Sequence, residues 1–208
     1  MALKKATDGI ALRPVEARDY RRDMAGLIAQ LDDADTGVRR WAARDLVAHP
    51  QAAAAVCAQL SRERDSSVRS VLFCSAARLG GAVVAEALLP LLRSEDPGLR
   101  NGAIEVLSGL PDAVAPHIER LLHDADGDVR IFSVNLLGDL PHPQVPQWLA
   151  QVLLHETAVN VVGAALEVLA EVGTPASLPA LQAAARRFAD DPYIAFAVDL
   201  SIARIAPT

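Results

Sequence analysis

The chain has 208 residues, of which 51% are hydrophobic, 22% charged and only 4% aromatic, with a formal net charge of −6. This balance fits a globular chain with a sizeable aliphatic core and excludes a disordered tail, a collagen and a small disulfide scaffold. Net acidity also disfavours nucleic acid as a partner, because binding phosphate calls for a basic stripe.

Residues 1–22 are polar, carry charges throughout and hold no apolar stretch long enough for a signal peptide. They are expected to form an N-terminal arm or cap ahead of a single body over residues 23–208. No run approaches the roughly 20 apolar residues of a membrane helix, so the expectation is a cytoplasmic protein with no membrane partner. The only lysines are Lys4 and Lys5. That Arg bias fits a GC-rich bacterial genome. Residues 1–100 carry 15 basic and 13 acidic side chains, whereas residues 101–208 carry 5 and 13. An acidic C-terminal half can steer a basic protein partner.

From residue 24 onward one phrase recurs: Asp, two residues, a β-branched residue or Leu, then Arg. It stands at Asp35/Arg39, Asp65/Arg69, Asp96/Arg100 and Asp126/Arg130. The arginines are 30, 31 and 30 residues apart, which is the mark of a repeat array. A fifth copy is visible because residues 164–169 resemble residues 102–107. It places Val161-Val162 where Leu99-Arg100 stood, so the Arg is lost. A sixth, degenerate copy begins near Asp191-Pro192.

Each copy holds two apolar segments with helical spacing and no long alternating pattern. The first segments are residues 24–31, 53–60, 83–92, 115–122, 145–154 and 178–188. The second begin just after each Asp, as at 38–47, 68–79, 99–110 and 129–140. Gly80-Gly81, Pro111-Asp112, Pro141–Pro143 and Gly173–Pro175 punctuate the joins, with Gly80-Gly81 read as a helix stop. The recurring Asp is placed to cap the second helix of its pair. The Arg four residues later can reach an Asp of its own copy or of the next. This predicts a structural ladder of Asp–Arg contacts between stacked copies, and a loss of stability on Arg100→Met. One pair of helices cannot bury both faces, so stacking must supply the core.

Asp-Pro-x-Val-Arg followed by small residues and Leu resembles the HEAT repeats, and the short period resembles their phycobilisome-lyase-like subclass. The resemblance covers residues 24–206. It implies an all-α, right-handed α-solenoid of about six helical hairpins, with the first helices convex and the second concave. It further implies a scaffold, adaptor or assembly factor that uses the concave face.

Residue patterns for chemistry were weighed against that reading. Cys57 and Cys74 lie in apolar runs and are expected to be free thiols packed as small hydrophobes. HEAT-like di-iron hydroxylases use repeated His-Glu pairs. This chain has one, His155-Glu156, expected to be a helix-end surface pair. No histidine or cysteine spacing matches a metal site, no nucleophile–base constellation is found, and no cofactor is expected. HEAT-like DNA glycosylases use a basic, aromatic groove with an acid. The cluster Arg39, Arg40, Trp41, Arg44 and Asp45 is the local piece resembling one. Trp41 is read instead as partner-facing or half-buried packing.

Aligning the second helices gives Arg44, Cys74, Glu105, Asn135 and Glu167 five residues past the Arg position. One residue past it stand Arg40, Ser70, Asn101 and Ile131, the last a candidate exposed anchor. With Trp41, these are the expected partner-binding residues of a concave ridge running from basic to acidic. The expected function is non-enzymatic binding of a protein or peptide. The alternatives are an accessory subunit of a bilin-lyase-like or other cofactor-handling system and, third, nucleic-acid binding through residues 39–44.

Overall fold

The computed structural model describes residues 21–205. The expected arm over 1–22 lies outside the described residues, except for Arg21 and Arg22. Among the described residues there are twelve α-helices and no strand. They form six antiparallel pairs: α1 (Met24–Gln30) with α2 (Thr36–Asp45), α3 (Ala53–Leu60) with α4 (Ser66–Leu79), α5 (Gly81–Leu88) with α6 (Pro97–Ser108), α7 (Pro111–Leu122) with α8 (Gly127–Asp139), α9 (Val145–His155) with α10 (Val159–Val172), and α11 (Leu178–Arg187) with α12 (Pro192–Ile205).

The pairs stack in chain order. Each second helix packs on the next, from α2 on α4 to α10 on α12, and α3, α5, α7, α9 and α11 make a parallel row. One continuous aliphatic core runs between the rows. Leu31, Leu46, Leu60, Leu72, Leu88, Leu107, Ile118, Leu137, Leu153, Leu166 and Leu181 are among its fully buried side chains. This is an α-solenoid, in which each hairpin buries its apolar face only against its neighbours.

Local sequence explains where the helices start and stop. Asp35, Asp65, Asp96, Asp126 and Asp191 each accept a backbone N–H of the second helix that follows. Such a cap satisfies donors that have no partner within the helix. Asp191 thereby fixes the start of the sixth second helix. Gly80 and Gly81 have φ of 60° and 79°, a left-handed region that glycine enters without steric cost, and they end α4 as the sequence suggests. The expected helix over 83–92 divides instead. After Leu88 the chain tightens into a 3₁₀ turn over Leu89–Arg93, because Pro90 cannot donate a backbone hydrogen bond.

Candidate functional site

The joints between hairpins are built from the repeat phrase, with partners other than those expected. Two residues before the cap position of each of the first five second helices, Ala158 being that of α10, lies a second polar residue: Asp33, Glu63, Ser94, Asp124 or Glu156. Each accepts the N–H of its cap residue, at 2.8 to 3.2 Å. This column, rather than the capping Asp, meets the Arg of the preceding hairpin in two joints. Arg39 forms a two-pronged bond to Glu63 at 2.8 and 2.9 Å. Arg130 does the same to Glu156 at 2.6 and 3.3 Å. Both arginines also curl back to a carbonyl of their own hairpin loop, Asp33 O and Asp124 O.

The Asp–Arg ladder is therefore corrected. Of the four phrase arginines only Arg69 reaches a capping Asp, at Asp96 and 2.5 Å, where Ser94 supplies no charge. Arg100 has no carboxylate. Its guanidinium lies over the Phe132 ring at 4.5 Å and donates to Ser94 O, while its Nε is buried without a partner. Arg93, outside the repeat phrase, takes Asp124 instead. The physical reason is reach. Each cap uses only its Oδ1 for helix N–H groups. Where a Glu stands two residues earlier its longer side chain meets the Arg of the preceding hairpin, and where Ser94 stands there Arg69 takes the remaining oxygen of Asp96. The spacing acid-x-Asp at 33/35, 63/65 and 124/126 was the available sequence signal.

Electrostatics follow from this geometry. The Glu63 side chain is only 3% exposed. The Arg39 hydrogen bond, against the upward push of burial, holds its carboxyl at about 2. Burial also pushes Glu156 upward, but Arg130 and the N–H groups of Ala158 and Thr157 outweigh it and leave the group below its ordinary value. Glu156 is thus a buried joint residue and not half of a surface pair with His155. At the fifth hairpin Arg187 donates to the carbonyls of Leu153, Leu154 and Glu156, closing the end of α9 from the neighbouring α11.

The proposed ridge residues fall on the second helices as follows. Arg40, Arg44, Ser70, Cys74, Asn101, Glu105, Asn135 and Glu167 are exposed. Trp41 is 45% exposed, with the Arg44 guanidinium 4.8 Å from its ring centre. Ile131 is corrected: it is half-buried, packed against the core. Cys57 is buried and Cys74 exposed, so only Cys57 packs as a hydrophobe; burial pushes its thiol to about 11. At the basic end Arg22, Arg44, Arg78 and His49 line an open hollow of about 440 Å³. The patch 39–44 contributes Arg40 and Arg44 to solvent but not Arg39, which Glu63 occupies. Among the described residues no group of three His, Cys, Asp or Glu is arranged to hold a metal ion, and no helix is long and apolar enough to cross a membrane.

The ridge also continues into α12, where no Arg marks the register of the copy. Counting from Asp191, its two columns end at Phe196 and Leu200, both exposed. The uncertain register of the sixth copy hid them.

The HEAT repeats family model matches residues 24–108 and 114–198. With six stacked hairpins and this coverage, the chain belongs to the HEAT-repeat proteins. Solved structures with a similar fold include a designed armadillo repeat protein, 14% identical over 88% of this chain and 100% of that one, with a TM-score of 0.44. Another is the complex of CpcE and CpcF of phycocyanin lyase from Nostoc sp., 17% identical over 94% of this chain and 98% of that one, with a TM-score of 0.39. An engineered protein is 19% identical over 88% and 96%, also with a TM-score of 0.39. No curated protein matches the sequence.

Proposed function

We propose that this chain is a non-enzymatic adaptor or assembly factor. In this reading residues 23–208 act as one solenoid that presents the ridge of its second helices, as a concave face, to a protein or peptide. The observation that carries the reading is the ordered exposure of one ridge. Arg40, Trp41 and Arg44 stand at one end, Ser70, Cys74 and Asn101 in the middle, and Glu105, Asn135 and Glu167 towards the other. A surface with opposite charges at its two ends sets the direction in which an extended partner lies. The buried joints beneath it hold the spacing of the ridge residues, which limits the entropy lost on binding.

The test is affinity purification from the native host with the wild type and with Arg40→Glu/Glu105→Arg. Recovery of a protein with the wild type and its loss with the variant is expected. Equal recovery with both would place the interface on another face and overturn the reading.

A further inference from the structure

The two ridge columns change character at the last hairpin. Five residues past the cap stand Arg40, Ser70 and Asn101, exposed, then the half-buried Ile131 and the buried Gly163, and then Phe196. Nine residues past the cap the chain presents Arg44, Cys74, Glu105, Asn135 and Glu167, and then Leu200. Phe196 is 66% exposed, and Leu200 and Tyr193 share its face of α12 at helical spacing. In a chain with so few aromatic residues, two of them stand together here in solvent. They border a cleft of about 120 Å³ between α10 and α12, walled by Leu166, Ala170 and Ala197.

This stripe is not an unfinished stacking edge. The column eight residues past the cap is the one that neighbouring hairpins cover: Ala43, Phe73, Ile104, Val134 and Leu166 are buried or half-buried there. At α12 the same column carries Asp199, exposed. A hairpin or a second copy stacked there would have to desolvate that carboxylate, at a high cost unless it supplied a cation. Within the described residues α12 is polar at the stacking column and apolar at the ridge columns.

The polar rim is net acidic: Glu167, Asp199 and Glu171 stand against one cation, Arg204, which pairs with Glu171 at 3.1 Å. Asp199 lies between Phe196 and Leu200 in the chain. Glu167 lines the cleft and accepts the Tyr193 hydroxyl at 2.7 Å, which fixes that ring over Gly163, where a side chain would meet it. An apolar anchor site rimmed by carboxylates selects a cationic partner.

Resting on the ridge as a protein-binding surface, we infer that the α12 stripe docks a cationic amphipathic segment of a partner protein. One large aliphatic or aromatic side chain of that segment enters the cleft, and flanking Lys or Arg residues meet Asp199 and Glu167. The probe is a short labelled peptide with leucines at helical spacing on one face and lysines on the other, titrated against the full chain by fluorescence anisotropy. The wild type is expected to bind it and to discriminate by about tenfold or more against the same peptide with Glu for Lys. Phe196→Ser/Leu200→Ser should lose binding by a similar factor, and Asp199→Lys should weaken the Lys peptide and favour the Glu peptide. All three positions are exposed, and a circular dichroism melt checks that the variants remain folded.

Equal binding by wild type and Phe196→Ser/Leu200→Ser overturns the proposal, as does no binding. A dimer in sedimentation that this double variant dissolves would give the stripe to a second copy and overturn it too. So would tighter binding of a peptide of residues 1–20 than of the cationic probe, which would give it to the chain's own N-terminal segment. The variants also separate this inference from the ridge reading. A native partner lost with Arg40→Glu/Glu105→Arg but kept with Phe196→Ser/Leu200→Ser leaves the ridge standing and removes only the stripe.

Discussion

The joint between the first two hairpins and the joint between the last two solve the same problem with different chemistry. At the first, Arg39 spans from α2 to a nearly buried Glu63 and satisfies two loop carbonyls on the way. At the last, Val162 and Ala195 stand in the Arg column. There α10 and α12 approach through glycines: Tyr193 lies over Gly163, Ile205 fills the space beside Gly173, and Ser201 Oγ donates to Leu166 O at 3.2 Å. A polar joint fixes register through directional bonds but depends on both partners. The α10–α12 contact is close-packed and apolar at its centre, with the Arg204–Glu171 pair at its exposed edge, so its weakness is volume instead.

Removing one partner of the first joint should give the largest effect. Arg39→Met leaves the Glu63 carboxylate buried without its cation and is expected to cost about 3–5 kcal/mol in a urea melt. Arg39→Met/Glu63→Met should recover much of that loss. If the double variant is no more stable than the single, the joint is not an isolated pair.

The same carboxylate predicts an acid limb. Its folded pKa is about 2 against an ordinary value of 4.5. A depressed folded pKa stabilises the fold above the unfolded value, and the contribution is lost as pH falls from about 4.5 through about 2. The size is about 3 kcal/mol. Stability measured by denaturant melts across that range should fall steeply in the wild type and less in Arg39→Met/Glu63→Met.

The last joint should respond to volume. A side chain on Gly173 would overlap Ile205 and the Leu169 carbonyl, so Gly173→Val is expected to cost about 1–3 kcal/mol by thermal or urea unfolding. That loss should show no added acid sensitivity, which sharpens the contrast with Glu63.

The smallest effect belongs to Arg100→Met, which the repeat phrase alone marks as a ladder residue. Its guanidinium pairs with a ring and one carbonyl, and its Nε has no partner. A change of about 1 kcal/mol or less is expected, because methionine keeps the contact with Phe132 and removes the unsatisfied group. A loss as large as that of Arg39→Met would show that the Phe132 contact bears on stability as much as an ion pair does.

Much of this architecture is legible from residue order. The Arg spacing gives the hairpin period, the recurring Asp gives the start of every second helix but α10, whose cap position is Ala158, and Gly80-Gly81 gives a helix end. Each is a local signal set within a few residues by backbone hydrogen bonding or φ. The ridge columns follow from the same counting as far as α10. The sixth copy has no Arg to anchor the count, so Phe196 and Leu200 stayed out of view until Asp191 was seen to cap α12. Ile131 was misplaced because exposure of a half-apolar helix face depends on how its neighbours turn, which a single position does not report.

The amino-acid sequence by itself determined the repeat, the helices and their caps, because these rest on contacts a few residues apart. Tertiary structure alone decided which acid each arginine holds and which apolar residues are left uncovered. Glu63, Asp96 and Glu156 meet arginines 24 to 27 residues away. The choice among them turns on side-chain reach across the joint, which differs between a Glu, an Asp and a Ser two residues before the cap. The exposure of Phe196 and Leu200 likewise depends on how α12 turns against α10, which the order of residues does not report.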